Sequence, residues 1–123
     1  MISTVIWISS IEARSFRLNP AQIEERHFHS NESNRERHQH EKHSSDHFFR
    51  EVAQALLTNN QERYLILGPG QAKSHFVSYL KQHNQAAAQR IVSVESIDKM
   101  TDGEILDFAH RFFRKIDTFE KLG

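Results

Sequence analysis

The sequence predicts an α/β fold with a mixed sheet of about five strands, in the order β-β-β-α-β-α-β-α. Three observations lead there. Three short strand-like runs stand together at the N-terminus with no helical period between them. Two later strand-like runs are each followed by a segment of helical spacing. The turn Gly68-Pro69-Gly70 joins one of those strands directly to its helix. The first three strands should pair antiparallel, and the two β–α units should then add parallel strands through right-handed crossovers.

Each element has its own signal. Thr4-Val5-Ile6-Trp7-Ile8 is rich in β-branched and aromatic residues, the composition of a strand. Ser9-Ser10-Ile11-Glu12 reads as a turn. Ala13-Arg14-Ser15-Phe16-Arg17-Leu18 alternates as a half-buried strand does, so the two runs make a hairpin. Asn19-Pro20 breaks it. Ile23 to Phe28 is a third strand, with Ile23, Glu25 and His27 on one face and Glu24, Arg26 and Phe28 on the other. Ser30 to Ser45 contains no aliphatic or aromatic residue and reads as a flexible, histidine-rich loop, because it has nothing to bury.

Ser44-Ser45-Asp46 offers N-caps for a helix carrying Phe48, Phe49, Val52, Ala53, Leu56 and Leu57 on one stripe, ending near Asn59-Asn60. Tyr64 to Leu67 is a central strand, and Gln71 to Asn84 a helix whose core face is Phe76, Val77 and Leu80. Arg90 to Glu95 is the last strand. Thr101 and Glu104 form a capping box that opens a helix lined by Ile105, Phe108, Ala109, Phe112, Phe113 and Ile116. Of these, Phe108, Phe112 and Ile116 suit the core; Leu106, Phe113 and Phe119 widen the stripe and offer a surface for a partner, including a second copy of the chain.

Composition narrows the function classes. A length of 123 residues suits one domain, 1–123. Sixteen basic and sixteen acidic side chains cancel, which excludes a whole-molecule field for nucleic acid while allowing a local basic patch. There is no cysteine, hence no disulfide framework and no thiolate chemistry. Met1 to Ser10 has neither the basic start nor the apolar length of a signal peptide, and no run approaches the ~20 apolar residues of a membrane span. The expectation is a cytoplasmic protein with no membrane association.

Three groups of residues carry possible chemistry. Gly68, Gly70 and Lys73 stand where a strand meets a helix N-terminus, the place where backbone N–H groups and a lysine hold an anion. Lys73 follows Gly70 too closely for G-x-x-x-x-G-K-[ST], and Pro69 removes a donor, so the same residues also read as a tight packing corner. His38, His40, His43 and His47 have the spacing of metal ligands for zinc or nickel; in a polar loop such binding is adventitious unless something orders the loop. Arg35, Arg37 and Lys42, with His38, His40 and His43, form a segment that gains positive charge as histidines protonate and is suited to RNA phosphates. No carboxylates cluster on strand ends as a two-metal nuclease needs, and Ser74 lacks G-x-S-x-G, so the residues favour a non-catalytic role without a cofactor.

Two motifs in order resemble a known family. Val5-Ile6-Trp7-Ile8 with Glu12-Ala13-Arg14, then Ile66-Leu67-Gly68-Pro69-Gly70-x-x-Lys73-x-x-Phe76, resemble the strand–E-A-R–strand hairpin and the G-P-G-x-x-K-x-x-F segment of the middle domain of archaeal and eukaryotic class 1 peptide chain release factors and of pelota. The likeness covers most of the chain, which looks like a small stand-alone bacterial relative. It implies a ribonuclease H-like, translational machinery component-like fold and a link to the ribosome, with rRNA or tRNA as partners. In release factors the loop after the third strand carries Gly-Gly-Gln, which promotes peptidyl-tRNA hydrolysis. Here that loop has no glycine and a single glutamine, Gln39, while Gly70-Gln71 belongs to the strand–helix turn. The resemblance therefore implies a ribosome- or RNA-binding role without hydrolysis, as in pelota. The alternatives that the residues leave open are a metal-assisted hydrolase using the histidines and a protein-interaction domain using the Gly-Pro-Gly turn or the last helix.

Overall fold

The computed structural model describes residues 2–19, 22–30, 41–57 and 61–122, and the side chains of all of these except 41–45 and 120–122. Strand β1 (Ile2–Ile8) is flanked on one side by β2 (Glu12–Leu18), antiparallel, with Val5 opposite Phe16. On its other side lies β4 (Glu62–Gly68), parallel, with Ile6 opposite Ile66. Strand β3 (Ile23–His29) continues the antiparallel side, with His27 opposite Arg14, and β5 (Ile91–Ser96) continues the parallel side. The order is β3-β2-β1-β4-β5, so the mixed five-stranded sheet read from the sequence is the one observed.

The central position of β1 and β4 follows from their composition. Both carry large apolar residues on both faces, which only a strand covered above and below can bury. Helices α1 (Glu41–Leu56), α2 (Ala72–His83) and the short α3 (Gln85–Ala88) cover one face, where Ile6, Ile8, Ala13, Tyr64 and Ile66 meet Phe49, Val52, Leu56, Phe76 and Leu80. Among the described residues, helix α4 (Asp102–Leu122) alone covers the other, where Val5, Trp7, Phe16, Leu65 and Leu67 meet Ile105, Ala109 and Phe113. Phe76 is fully buried; truncating such a side chain to alanine costs about 3–5 kcal/mol.

Several boundaries differ from the sequence reading. Helix α1 begins at Glu41, so Ser44, Ser45 and Asp46 lie inside it rather than capping it, and the C-terminal part of the 30–45 loop is helix. Glu41 and Lys42 are good helix formers, and adding a turn to an existing helix costs far less than nucleating one. Asn84 ends α2 by donating its N–H to Leu80 O at 2.7 Å, then caps α3 as its side chain accepts from Ala87 N at 3.2 Å. That second, four-residue helix went unread because Gln85-Ala86-Ala87-Ala88 has no periodic apolar stripe.

Strand β2 is buried on both faces at its centre, where Ser15 and Phe16 are both covered, rather than half-buried. On α4 the core stripe is Ile105, Ala109 and Phe113, spaced i, i+4, i+8; Phe113 is core, and Phe108 and Phe112 flank it half-buried. The two-sided reading of β3 holds: Phe28 packs against the α1 side of the core, while the rest of this edge strand is exposed, and apart from Ile23 it carries charged or histidine side chains, which discourages edge-to-edge pairing. Among the described residues no helix is long and apolar enough to cross a membrane.

Candidate functional site

Strands β1, β3, β4 and β5 all end at one edge of the sheet, because β3 is antiparallel to β2 as β1 is. The stem of the segment after His29, the Gly-Pro-Gly turn and the start of α4 therefore share that edge. In open α/β sheets this carboxyl edge is where ligands are held.

At the turn, Gly68 has φ +150° and a Cβ on it would sit 2.1 Å from the Ile8 carbonyl oxygen; Gly70 has φ +58° with open space around it. Lys73, in the first turn of α2, is buried, and its ammonium donates to Gly70 O at 2.5 Å. Gly68, Gly70 and Lys73 are thus brought together as expected, with the lysine directed at the turn's own backbone. The turn opens α2 without a side-chain cap from Gln71.

Beside it, an open groove of about 1050 Å³ runs between the β1–β2 turn and the start of α4. Its organising residue is Arg14. The guanidinium donates to Asp102 Oδ1 at 2.9 Å and to Met100 O at 2.8 Å, and stacks 4.6 Å over the Trp7 ring. The Trp7 indole N–H donates to Asp98 O at 3.3 Å. A planar fork with donors on two sides is what holding a loop and a helix start together requires, and arginine alone supplies it. The capping box works as read: Thr101 N donates to Glu104 Oε1 at 2.8 Å and Glu104 N to Thr101 Oγ1 at 3.1 Å. The groove presents Glu12, Asp98, Asp102 and Glu104 against Arg14 and Lys99, an excess of negative charge.

At the rim of this groove β3 contributes His27. Its Nε2 lies 3.1 Å from Glu25 Oε1 and 3.8 Å from Asp102 Oδ2. Ligand atoms of Glu25, His27 and Asp102 all fall within 4.8 Å of one another. A second cleft, of about 630 Å³, opens between α1 and α2, with Phe48, Phe49 and Tyr79 for walls and Asp46, His75 and Gln82 at its polar margin.

The opposite edge of the sheet holds a buried polar network. Glu62 is fully buried at the start of β4. It accepts from the Thr4 hydroxyl, from Arg17 Nε at 2.8 Å and from Arg17 Nη2 at 3.1 Å, while the Tyr64 hydroxyl lies 3.5 Å away. Arg17 reaches on to Glu24 at 3.0 Å. The hydrogen bond to Glu62 holds the Arg17 pKa above its usual value against the opposing pull of burial. Burial pushes the Tyr64 phenol above its ordinary range, against a hydrogen bond with Arg90. This network sits at the amino edge of the parallel strands and joins β2, β4 and the end of α1, where Arg17 Nη2 also donates to Leu56 O at 3.4 Å.

The comparisons with known proteins agree with this architecture. No family profile matches the chain, and no curated protein is similar to it in sequence. Among solved structures it superposes on Archaeoglobus fulgidus Pelota with a TM-score of 0.64 and 19% identity, covering 89% of this chain and 31% of that one. Thermoplasma acidophilum Pelota gives 0.64 and 20%, covering 88% and 31%. The archaeal translation termination factor aRF1 gives 0.66 and 14%, covering 98% and 39%. This is the fold shared by pelota and the archaeal termination factor. The motif resemblance thus holds at the level of the fold, and the chain spans about a third of the length of those proteins.

Within the pelota-type fold, the positions read from the sequence are distributed unevenly. Arg35, Arg37, His38 and His40 lie outside the described residues. Lys42 and His43 fall in α1, and their side chains lie outside them too; His47 is exposed on the same helix. The Glu25–His27–Asp102 cluster and the Glu62 network were not anticipated. The first joins residues 75 positions apart, and nothing in a local pattern connects an edge strand to a helix cap. The one available signal was that Glu25 and His27 share a face of β3.

Proposed function

We propose that this chain is a translation-associated, non-catalytic module that binds the ribosome or its RNA in the cytoplasm. The observation that carries the reading is the fold shared with Pelota and the archaeal translation termination factor over nearly the whole chain. The E-A-R and Gly-Pro-Gly motifs occupy organising positions in that fold: Arg14 pins the start of α4, and Gly68 lets β4 cross beside β1.

The phosphate-facing element is the segment of residues 30–45. Its stem leaves β3 at the carboxyl edge, and its sequence supplies Arg35, Arg37, His38, His40, Lys42 and His43. The neighbouring groove carries an excess of carboxylates and would repel phosphate, so the RNA contact is assigned to the segment. rRNA or tRNA at the large-subunit centre is the expected partner. The test is co-sedimentation with ribosomes in a sucrose gradient. The full chain should move with ribosomal particles and a variant lacking residues 31–40 should stay at the top; a full chain that also stays at the top refutes the reading.

Phe119 favours a second contact. It is 77% exposed near the end of α4, and suits a homodimer through that helix. Analytical ultracentrifugation of the wild type and Phe119→Ser should show a dimer that the substitution removes.

A further inference from the structure

We propose that Glu25, His27 and Asp102 form a binding site for a divalent transition metal, with zinc as the fitting ion, at the junction of β3 and α4. This stands apart from the ribosomal reading and uses none of the histidines between residues 38 and 47.

The geometry is the first argument. Tetrahedral zinc holds nitrogen and oxygen ligands at about 2.0–2.1 Å, which sets neighbouring ligand atoms about 3.3 Å apart. His27 Nε2 stands 3.1 Å from Glu25 Oε1 and 3.8 Å from Asp102 Oδ2, so both spacings lie within about half an ångström of that value. The three groups come from two elements and bring their ligand atoms within 4.8 Å of one another at the rim of the open groove, so binding an ion requires the exposed Glu25 side chain to swing towards Asp102, with water or another ligand completing the shell. One imidazole with two carboxylates favours zinc or a neighbouring transition metal over magnesium or calcium, which prefer oxygen alone.

The second argument is how Asp102 is held. Its Oδ1 accepts from Arg14 Nη1 at 2.9 Å, leaving Oδ2 directed at His27. Arg14 is itself fixed by Met100 O and the Trp7 ring. Such outer partners orient a ligating carboxylate and contribute to metal affinity. The positive charge of Arg14 does not cancel the site, because Glu12 also approaches it at 3.7 Å and Glu25 is left without an arginine or lysine partner among the described residues.

The experiment must separate this site from the other histidines. An untagged chain with His38, His40, His43 and His47 all changed to Gln is titrated with Zn²⁺ by calorimetry, and its Co²⁺ form is followed by visible absorption. One equivalent should bind, and adding His27→Gln or Glu25→Gln should weaken binding by more than about tenfold, at least the loss that outer-sphere partners cause. Both changes fall on the exposed edge strand, and circular dichroism should show the fold intact. Loss of zinc binding from the four-histidine variant alone, or unchanged affinity after either His27→Gln or Glu25→Gln, overturns the proposal.

Discussion

Gly68 and Ile8 pass so closely that a Cβ on the glycine would lie 2.1 Å from the Ile8 carbonyl oxygen. Real Cβ atoms do not approach backbone oxygen to that distance, and the φ of +150° is one that L side chains rarely adopt. The Gly-Pro-Gly turn therefore marks the fold through contact between the two central strands. Gly70 differs, since its φ of +58° is its only constraint and a Cβ at that position would meet nothing within 4 Å.

The two glycines should respond differently to the same change. Gly68→Ala should cost more than about 4 kcal/mol and leave little folded protein, because a backbone atom must move. Gly70→Ala should cost roughly 1–2 kcal/mol, the penalty of a left-handed conformation. Urea titration of both variants gives the comparison, and equal losses would contradict it.

Breaking the buried pair should be costly from either end but not when both ends go. Arg17→Ala strands the Glu62 carboxylate in a fully buried position; the expected loss is about 3 kcal/mol, at the low end for such pairs because Arg17 is partly exposed. The double change Arg17→Leu with Glu62→Leu should recover most of that loss. Denaturant midpoints of the single and double variants measure the coupling.

Alkaline stability should carry the signature of Tyr64. Burial raises its phenol pKa in the folded state. A raised folded pKa contributes stability that is complete below the unfolded value, about 10, and is lost as pH rises past it towards the folded one. Stability measured from pH 9 upward should thus fall more steeply in the wild type than in Tyr64→Phe, and parallel curves would show that the hydroxyl has no such role.

Arg14 should control the start of α4. Arg14→Lys keeps the charge but loses the fork that serves Asp102 and Met100 O together. Hydrogen exchange at residues 102–105 should quicken. Emission from Trp7, the sole tryptophan, should shift as its stacked partner leaves. Unchanged exchange would mean that the capping box of Thr101 and Glu104 holds the helix start alone.

The sheet was legible because its determinants are local. Val5 to Ile8 and Tyr64 to Leu67 carry apolar residues on both faces, which marks central strands, and Thr101 with Glu104 announces a helix in four residues. The start of α1 was misplaced because Ser44, Ser45 and Asp46 look like caps, although capping is worth only about 1 kcal/mol and an adjoining helix overrides it. The stripe of α4 was blurred by its many phenylalanines, and only packing under Val5 and Leu65 selects Phe113. The site was less legible than the fold. Arg14 stood out as part of a motif, but its partners Asp102 and Met100 are more than 80 residues away. Glu62 reads as an ordinary surface residue until Arg17 and Thr4 are found against it.

The most direct test of the central claim is a salt titration of binding to purified ribosomes, comparing the wild type with Arg35→Ser/Arg37→Ser. The account predicts measurable binding that weakens as salt rises. In the double variant, the slope of log affinity against log salt should be shallower by about two, one for each phosphate contact removed. Wild-type protein that shows no affinity for ribosomes at low salt would contradict the account.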